Sequence, residues 1–171
     1  MILLTVSISI SCTGSRDSTA TNTAPNEIPR VSSPADEVFD GQKVVKSEDE
    51  WRAYLSPEAF YVLRQEGTER PYSGKYEKNK EPGDYYCAAC HLKLFSSKAK
   101  FESGTGWPSF FEPVNEKNIV EVKDDSLGME RIEIECARCG SHLGHVFEDG
   151  PKPTGLRYCM NSVSLTFEPS H

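Results

Sequence analysis

Apolar and polar side chains alternate with a period of two in three stretches of the second half of the chain, residues 119–123, 131–135 and 162–167. Such alternation is typical of strands that bury one face, as in antiparallel sheets. From Gly67 onwards, short segments separated by Gly, Pro and Asn surround these stretches. The pattern predicts a mainly β domain.

Two capping signals precede the strands. Ser47 with Glu50 three residues later forms a capping box, and acidic residues fill the first turn, where the helix dipole favours them. Ser56 is followed by Pro57 at the first helical position, and Gly67 stands where a helix would end in a left-handed residue. We therefore predict two short helices at the N-terminal end of the domain.

The first twelve residues resemble the end of a bacterial export signal. Residues 2–11 are uncharged and apolar or hydroxylic, and they lead into Cys12, as in a lipobox whose cysteine is lipidated. Ser9 stands where a lipobox usually has Leu, and no Lys or Arg precedes the apolar run. Residues 1–12 are thus predicted to be a signal or lipoprotein-like segment that tethers the chain to the bacterial cell envelope through Cys12. A frayed N-terminus on a cytoplasmic protein is the alternative.

Residues 13–46 are rich in Ser, Thr, Asn, Ala and Pro, and Phe39 is their only aromatic residue. Such a segment cannot bury enough apolar surface to order itself. We interpret it as a flexible polar linker between the N-terminal segment and a domain that spans residues 47–168.

Length and charge limit the classes of protein to which this chain can belong. The 171 residues suffice for one domain with a modest core. Acidic residues number 26 against 19 basic ones, a net charge of −7, which argues against nucleic acid as a partner. No apolar run reaches the roughly 20 residues that a membrane-spanning helix needs.

Four of the six cysteines form two Cys-x-x-Cys pairs. Four thiolates can close the tetrahedron of a structural Zn²⁺, and Gly140 relieves the backbone after the second pair. A redox dithiol is the rival interpretation, but two pairs without a βαβ pattern favour zinc. Disulfides in an exported protein are a third interpretation. The predicted metal ligands are Cys87, Cys90, Cys136 and Cys139.

Cys159 is the one domain cysteine outside these pairs, and it is a candidate nucleophile. Arg157, two residues earlier, would share its face of a strand, where a cation lowers the pKa of a thiol. The alternative for a lone cysteine is a buried apolar side chain.

Two further segments are dense in residues that a plain core does not need. His142 and His145 closely follow the second cysteine pair, so a metal there would fix their position. Trp107 lies between a glycine and a proline, in a loop that can present an aromatic wall. His91, beside a predicted zinc ligand, and His171, at the C-terminus, are assigned no role.

In combination these residues closely resemble the methionine sulfoxide reductase type B family, the peptide-methionine (R)-S-oxide reductases. The resemblance covers about residues 47–167, and its matching stretches are residues 67–74, 103–110, 128–131, 142–150 and 157–162. It implies a β-tent of two antiparallel sheets, a catalytic cysteine at Cys159, and a structural Zn²⁺ on the four cysteines of the two pairs.

The resemblance also implies the chemistry. The Cys159 thiolate attacks the sulfoxide sulfur of methionine-R-sulfoxide, free or in proteins, and the products are methionine and a sulfenic acid. His145, with His142 near it, supplies the proton or strong donor that the developing charge on the oxygen needs.

The same resemblance assigns roles to the residues around Cys159, His142 and His145. Trp107 and Phe147 would bind the substrate, and Trp107 would hold its ε-methyl group in an apolar pocket. Asn161 and Asp149 would orient the histidines. Arg157 would stabilise the thiolate or an acidic partner in the transition state.

One position departs from the family pattern, because many members carry a resolving cysteine where this chain has Thr105. The sulfenic acid would then be reduced by a thioredoxin-like protein or by another external thiol. Cys12 could take part only if it stays free, and lipidation would consume its sulfur.

Two other functions stay open at this point. A non-enzymatic zinc-ribbon β-tent binding module needs the four metal cysteines, but not Cys159, His145 and Asn161 together. A thiol-disulfide oxidoreductase needs a free vicinal pair of cysteines, which bound zinc would exclude.

Overall fold

A computed structural model describes residues 38–126 and 128–170 of the chain. Its helices are α1, Glu48–Tyr54, and α2, Pro57–Gln65. The Ser47 hydroxyl accepts a hydrogen bond from the Glu50 backbone N–H, and the Glu50 carboxylate accepts one from the Ser47 backbone N–H. The predicted capping box is therefore confirmed.

The end of α2 differs from the sequence prediction. The left-handed residue is Glu66, with φ of 54°, and not Gly67. Gly67 has a different function: a Cβ at this position would overlap the ring of Tyr61. A larger residue at position 67 would therefore displace the exposed Tyr61 side chain.

Within the described residues, nine strands form two antiparallel sheets. The small sheet has the order β2-β1-β9, and the large sheet has the order β3-β4-β8-β7-β6-β5. This confirms the mainly β fold with two antiparallel sheets and two short helices. The strands are β1 Gly83–Cys87, β2 Lys93–Ser96, β3 Lys100–Phe101, β4 Ser109–Phe110, β5 Ile119–Asp124, β6 Arg131–Cys136, β7 His142–Phe147, β8 Arg157–Met160 and β9 Leu165–Pro169.

Two of the three alternating stretches become strands as predicted, namely β5 and β6. The third prediction is wrong in its first half, because Ser162–Ser164 is a 3₁₀ turn and β9 begins only at Leu165. The carboxylate of Glu69 accepts the backbone N–H groups of Ser162 and Val163, at 2.7 and 3.0 Å. These donors are therefore unavailable to a strand ladder.

Aromatic rings join the two sheets in the core. Tyr85 of β1 and Phe95 of β2 both pack on Phe110 of β4, with ring centroids 5.0 and 4.5 Å apart. All three side chains are fully buried. Because β4 pairs with β8, this packing fixes the strand that carries Cys159 relative to the small sheet.

The last residues of the predicted linker contact the domain. Phe39 and Val44 pack partly buried against the core, and their backbone N–H groups donate to Asn118 Oδ1 and to the Arg138 carbonyl. Residues 13–37 of the linker and the predicted signal segment of residues 1–12 lie outside the described residues. Within residues 38–126 and 128–170, no helix has the length and apolar character needed to cross a membrane.

The close approach of β7 and β8 generates a prediction about Gly144. A Cβ at Gly144 would overlap the carbonyl oxygen of Cys159 and lie 2.9 Å from the Cα of Met160. Because backbone cannot yield as a side chain can, Gly144→Ala should lower the free energy of unfolding by about 3 kcal/mol or more. The measurement is urea denaturation.

Gly155→Ala is the matched control. Gly155 has a φ of 75° and open space around its Cα, so its substitution should cost only the left-handed strain of about 1 to 2 kcal/mol. A smaller loss for Gly144→Ala than for Gly155→Ala would contradict the packing argument.

Candidate functional site

A row of side chains crosses four strands of the large sheet. Ser109 of β4 pairs with Cys159 of β8, Cys159 pairs with His145 of β7, and His145 pairs with Glu133 of β6. Residues directly opposite one another in neighbouring antiparallel strands share a face, with Cβ atoms about 4.5–5.5 Å apart. The register thus brings the predicted nucleophile next to a predicted histidine.

A β-bulge places the second histidine on the same side. Residues three apart in a regular strand point to opposite faces, yet the rings of His142 and His145 lie 5.4 Å apart. The pairing of β6 with β7 shifts between Ile134 and Glu135, which inserts one extra residue into β7 before Gly144. The extra residue turns His142 towards His145, as bulges do beside functional sites.

His142 is buried against a carboxylate. Its Nδ1 lies 2.6 Å from Glu133 Oε1, and its Nε2 has no partner among the described residues. Burial lowers the pKa of His142 to about 4 and raises the pKa of Glu133. At pH 7 the imidazole is therefore neutral, and its Nδ1–H donates to the Glu133 carboxylate.

His145 is held by a residue that the sequence analysis missed. Its Nε2 lies 2.8 Å from Asp124 Oδ2, and Arg131 donates to the same oxygen at 2.6 Å. Hydrogen bonds from Ser126, followed by that from His145, hold the pKa of Asp124 well below its usual range. Burial lowers the pKa of His145, and the bond to Asp124 opposes this shift. The arrangement leaves Nδ1 of His145 as the ring nitrogen available to a ligand.

Asp149 and Asn161 form their hydrogen bonds with groups other than the histidines that they are predicted to orient. Both oxygens of Asp149 accept hydrogen bonds from Arg157, at 2.8 and 2.9 Å. Asn161 donates through its amide to the Leu143 carbonyl and accepts from the backbone N–H of Glu69. The partners of the histidines are carboxylates on β5 and β6, which come earlier in the chain.

The Cys159 thiol is half-buried, and burial raises its pKa. The Thr105 hydroxyl, 3.9 Å from the sulfur, and the charge of Arg157 oppose this shift. The guanidinium of Arg157 also lies 4.4 Å from the centre of the Phe147 ring. Arg157 is therefore placed to assist a thiolate, although its charge is shared with Asp149.

A pocket of about 120 Å³ opens onto Cys159. This volume is well below the 300–1,000 Å³ of pockets for drug-sized ligands, so it suits a single side chain. Five predicted site residues contribute to its walls. The lining residues are Thr68, Trp107, Gly144, His145, Phe147, Cys159, Met160 and Asn161.

Glu69 connects the parts of this pocket and was also missed from the sequence. Its carbonyl accepts a hydrogen bond from the Trp107 indole at 3.2 Å, and its N–H donates to Asn161. Its buried carboxylate caps the turn after Asn161. An acidic residue in a loop of mixed composition carries no sequence signal for this role.

The four cysteines of the two pairs meet in one buried cluster. Their Sγ atoms all lie within 4.8 Å of one another, with separations of 3.4 Å for Cys90–Cys136 and 3.7 Å for Cys87–Cys139. A tetrahedral Zn²⁺ with Zn–S bonds of about 2.3 Å would place its ligand atoms about 3.8 Å apart. The cluster can therefore hold a metal ion of this kind.

The two pairs use the same local turn. The residue after each second cysteine is left-handed, with φ of 61° at His91 and 63° at Gly140. In each turn this residue donates its N–H to the carbonyl of the first cysteine, Cys87 or Cys136. The relief predicted for Gly140 is confirmed, and His91 adopts the same conformation without being glycine.

The chain is similar to a known domain family and to several named proteins. The SelR domain matches residues 55–169. The peptide methionine sulfoxide reductase MsrB of Methanosarcina mazei is 61% identical over 125 residues, which cover 73% of this chain and 89% of that protein. The protein of the same name from Methanosarcina barkeri is 62% identical over 128 residues, covering 74% and 90%. That from Pseudomonas entomophila is 57% identical over 128 residues, covering 75% and 98%.

The matched domain occupies more than half of the chain. The three relatives are 57–62% identical to the chain over the aligned residues, which cover 89–98% of their own length. The chain therefore belongs to the methionine sulfoxide reductase type B family, which carries the SelR domain.

Proposed function

We propose that this protein reduces the R epimer of methionine sulfoxide, free or in proteins, to methionine. Reduction of methionine sulfoxide is the activity named in its relatives. The observation that carries the proposal for this chain is the pairing of Cys159 with His145 across β7 and β8, at a pocket sized for one side chain. A nucleophile and a proton donor then face the same bound group.

The proposed reaction begins when the Cys159 thiolate forms a bond to the sulfoxide sulfur and His145 protonates the sulfoxide oxygen. The S–O bond of the substrate and the new bond between the two sulfurs then both break, as the oxygen passes with its proton to the Cys159 sulfur. The substrate sulfur gains two electrons and becomes a thioether. The Cys159 sulfur loses two electrons and becomes a sulfenic acid.

Selectivity for the R epimer would follow from the walls of the pocket. Trp107 and Phe147 offer apolar surface to the methyl group, and His145 offers a polar atom to the oxygen. The sulfoxide sulfur is a chiral centre. In only one of its two configurations can the methyl group contact the apolar wall and the oxygen contact His145 while the sulfur faces Cys159. The other epimer would direct its oxygen at an apolar surface.

Recycling would need a thiol from outside the domain. Among the described residues, the cysteines other than Cys159 all belong to the buried cluster. We propose that a thioredoxin-like protein, or another thiol, attacks the sulfenic sulfur and displaces water. A second thiol then releases Cys159 and leaves a disulfide on the reductant.

We propose that the four-cysteine cluster holds a structural Zn²⁺. All four ligands are cysteines, no position is open to a substrate, and the turns place every sulfur at a suitable separation. When bound, the ion would join β1 to β6 and so stabilise the contact of the two sheets. It would take no part in the reduction.

The decisive test of the function is an assay on resolved methionine-R- and methionine-S-sulfoxide, with dithiothreitol as reductant. The wild-type protein should reduce the R epimer at least about a hundredfold faster than the S epimer. Cys159→Ser should lose activity on the R epimer while retaining its metal content and circular dichroism, because a serine hydroxyl is not ionised at neutral pH. Turnover by Cys159→Ser, or equal use of both epimers, would contradict the proposal.

The sulfenic acid can be trapped in a single turnover. After one equivalent of substrate without reductant, dimedone should label Cys159, and the labelled site is identified by peptide mass spectrometry. Thr105→Cys is the informative comparison, since its thiol would lie beside Cys159 and should form a disulfide in place of the trapped product. An internal disulfide in the unmodified protein, with loss of zinc, would refute the proposal that Cys159 is the only cysteine of the domain that takes part in the reaction.

Loss of one cluster ligand should affect metal and stability before activity. Cys87→Ser should bind no stoichiometric zinc and unfold about 10 °C or more below wild type, because the metal-binding free energy contributes to folding. Metal analysis and thermal denaturation provide the measurements, and Cys159→Ser is the matched control. Retention of metal and stability by Cys87→Ser would show that the cluster is not the metal site.

The pH dependence should change when Asp124 loses its charge. The hydrogen bond from His145 to Asp124 raises the pKa of His145, so Asp124→Asn should lower that pKa. A proton donor is lost as the pH rises through its pKa, so the falling alkaline limb of the rate profile should move to lower pH. We also expect about a tenfold lower kcat at pH 7. An unchanged alkaline limb would contradict a donor role for His145.

A further inference from the structure

Three hydroxyl side chains form a chain beside the Cys159 sulfur. Thr105 Oγ1 lies 3.9 Å from Cys159 Sγ and 2.8 Å from Ser103 Oγ. Ser103 Oγ in turn lies 2.8 Å from Ser109 Oγ. Ser109 is fully buried, whereas Ser103 and Thr105 are partly accessible.

Each hydroxyl can donate only one proton, and this limits the direction of the chain. If Thr105 donates to the thiolate, its oxygen is free to accept from Ser103. The oxygen of Ser103 faces the backbone N–H of Thr105, at 3.4 Å, and can also accept from Ser109. The single proton of Ser109 has two acceptors within reach, Ser103 at 2.8 Å and the Trp107 carbonyl at 3.2 Å, and the shorter distance favours Ser103. Donors aligned head to tail polarise one another, so the last donor in the row is the strongest.

The loop that carries Thr105 is held on both sides by one residue. Tyr72 donates its backbone N–H to the Gly106 carbonyl and its phenol to the Gly104 carbonyl, both at 2.7 Å. The two glycines are left-handed, with φ of 73° at Gly104 and 94° at Gly106. The Thr105 side chain is therefore fixed in place by contacts that do not involve Cys159.

Arg157 alone is a weak source of stabilisation for a thiolate here. Its guanidinium forms two hydrogen bonds with Asp149, so much of its charge is balanced. The sulfur is also withdrawn from water, which disfavours its ionised form. A buried thiolate needs further donors, and hydroxyl groups face the sulfur from the side of β4 and its preceding loop.

We propose that Thr105, Ser103 and Ser109 form a directed hydroxyl chain that stabilises the thiolate of Cys159, with Thr105 as the donor and the two serines as positioning residues. The proposal deepens the proposed function, on which it rests, because it assigns a task to the residue at the position where many relatives have a resolving cysteine. Thr105 thus has a role of its own in the site, as a hydrogen-bond donor to Cys159.

The test measures ionisation of the resting thiol and needs no sulfoxide. The full-length protein is alkylated with iodoacetamide at a series of pH values, and the modified Cys159 peptide is quantified by mass spectrometry. The midpoint of the pH profile reports ionisation, and the plateau at high pH reports access to the sulfur. Circular dichroism confirms that each variant is folded.

Four variants separate a donor from a space-filling residue. Thr105→Val keeps the shape but removes the hydroxyl, so its midpoint should move to higher pH and its rate at pH 7 should fall about threefold to tenfold. Thr105→Ser should restore the wild-type midpoint. Ser103→Ala should shift the midpoint in the same direction by a smaller amount. Thr154→Val, whose hydroxyl bonds to the Phe111 carbonyl far along the chain from Thr105, should leave the profile unchanged.

An unchanged midpoint in Thr105→Val would overturn the proposal, and an unchanged midpoint in Ser103→Ala would overturn the directed chain. If Thr105→Val does not fold, Ser103→Ala alone tests the proposal. A higher pH midpoint in Ser103→Ala then supports the hydroxyl chain, and an unchanged midpoint refutes it. A protein that shows these shifts but reduces neither epimer would refute the proposed function and leave the hydroxyl chain standing.

Discussion

The convergence of four cysteine thiols at one buried point constrains the whole domain. Cys87 ends β1 in the small sheet and Cys136 ends β6 in the large sheet, so the cluster ties one sheet to the other. Helix α2 supports the same point, because Arg64 donates to the carbonyls of Cys139 and Gly140. Since β7 starts within three residues of Cys139, the position of the histidines depends on where these sulfurs meet.

Carboxylates that are distant in sequence complete the site. Asp124 and Glu133 each bind one histidine, and Glu69 joins Trp107 to Asn161. Each of the three lies on a different segment, and together they determine which ring nitrogens and which pocket walls face the sulfur. The acidic balance of the chain thus includes groups with internal structural tasks, not only a solvated surface.

Much of the fold and of the candidate site could be predicted from local sequence patterns, because those patterns reflect interactions between residues that are close in the chain. The capping box at Ser47, the strand over residues 131–135 and the two cysteine turns depend on neighbours within a few residues. The failures have non-local causes. Residues 162–164 leave the strand pattern because Glu69, more than ninety residues earlier, binds their N–H groups. The resemblance assigns Asp149 to the histidines, whereas its carboxylate binds Arg157 across the turn between β7 and β8.

The bulge in β7 has a consequence for how this site can vary. His142 and His145 share a face only because one extra residue lies between the two registers of pairing with β6. If β7 paired with β6 in regular register at the same three-residue spacing, both histidines would stay in the sequence but one of them would be directed to the opposite face of the sheet. The irregular pairing of β7 with β6 is thus as much a part of the site as the side chains. A sequence could match every functional position, form the same strands without the bulge, and still lack this arrangement of the two histidines.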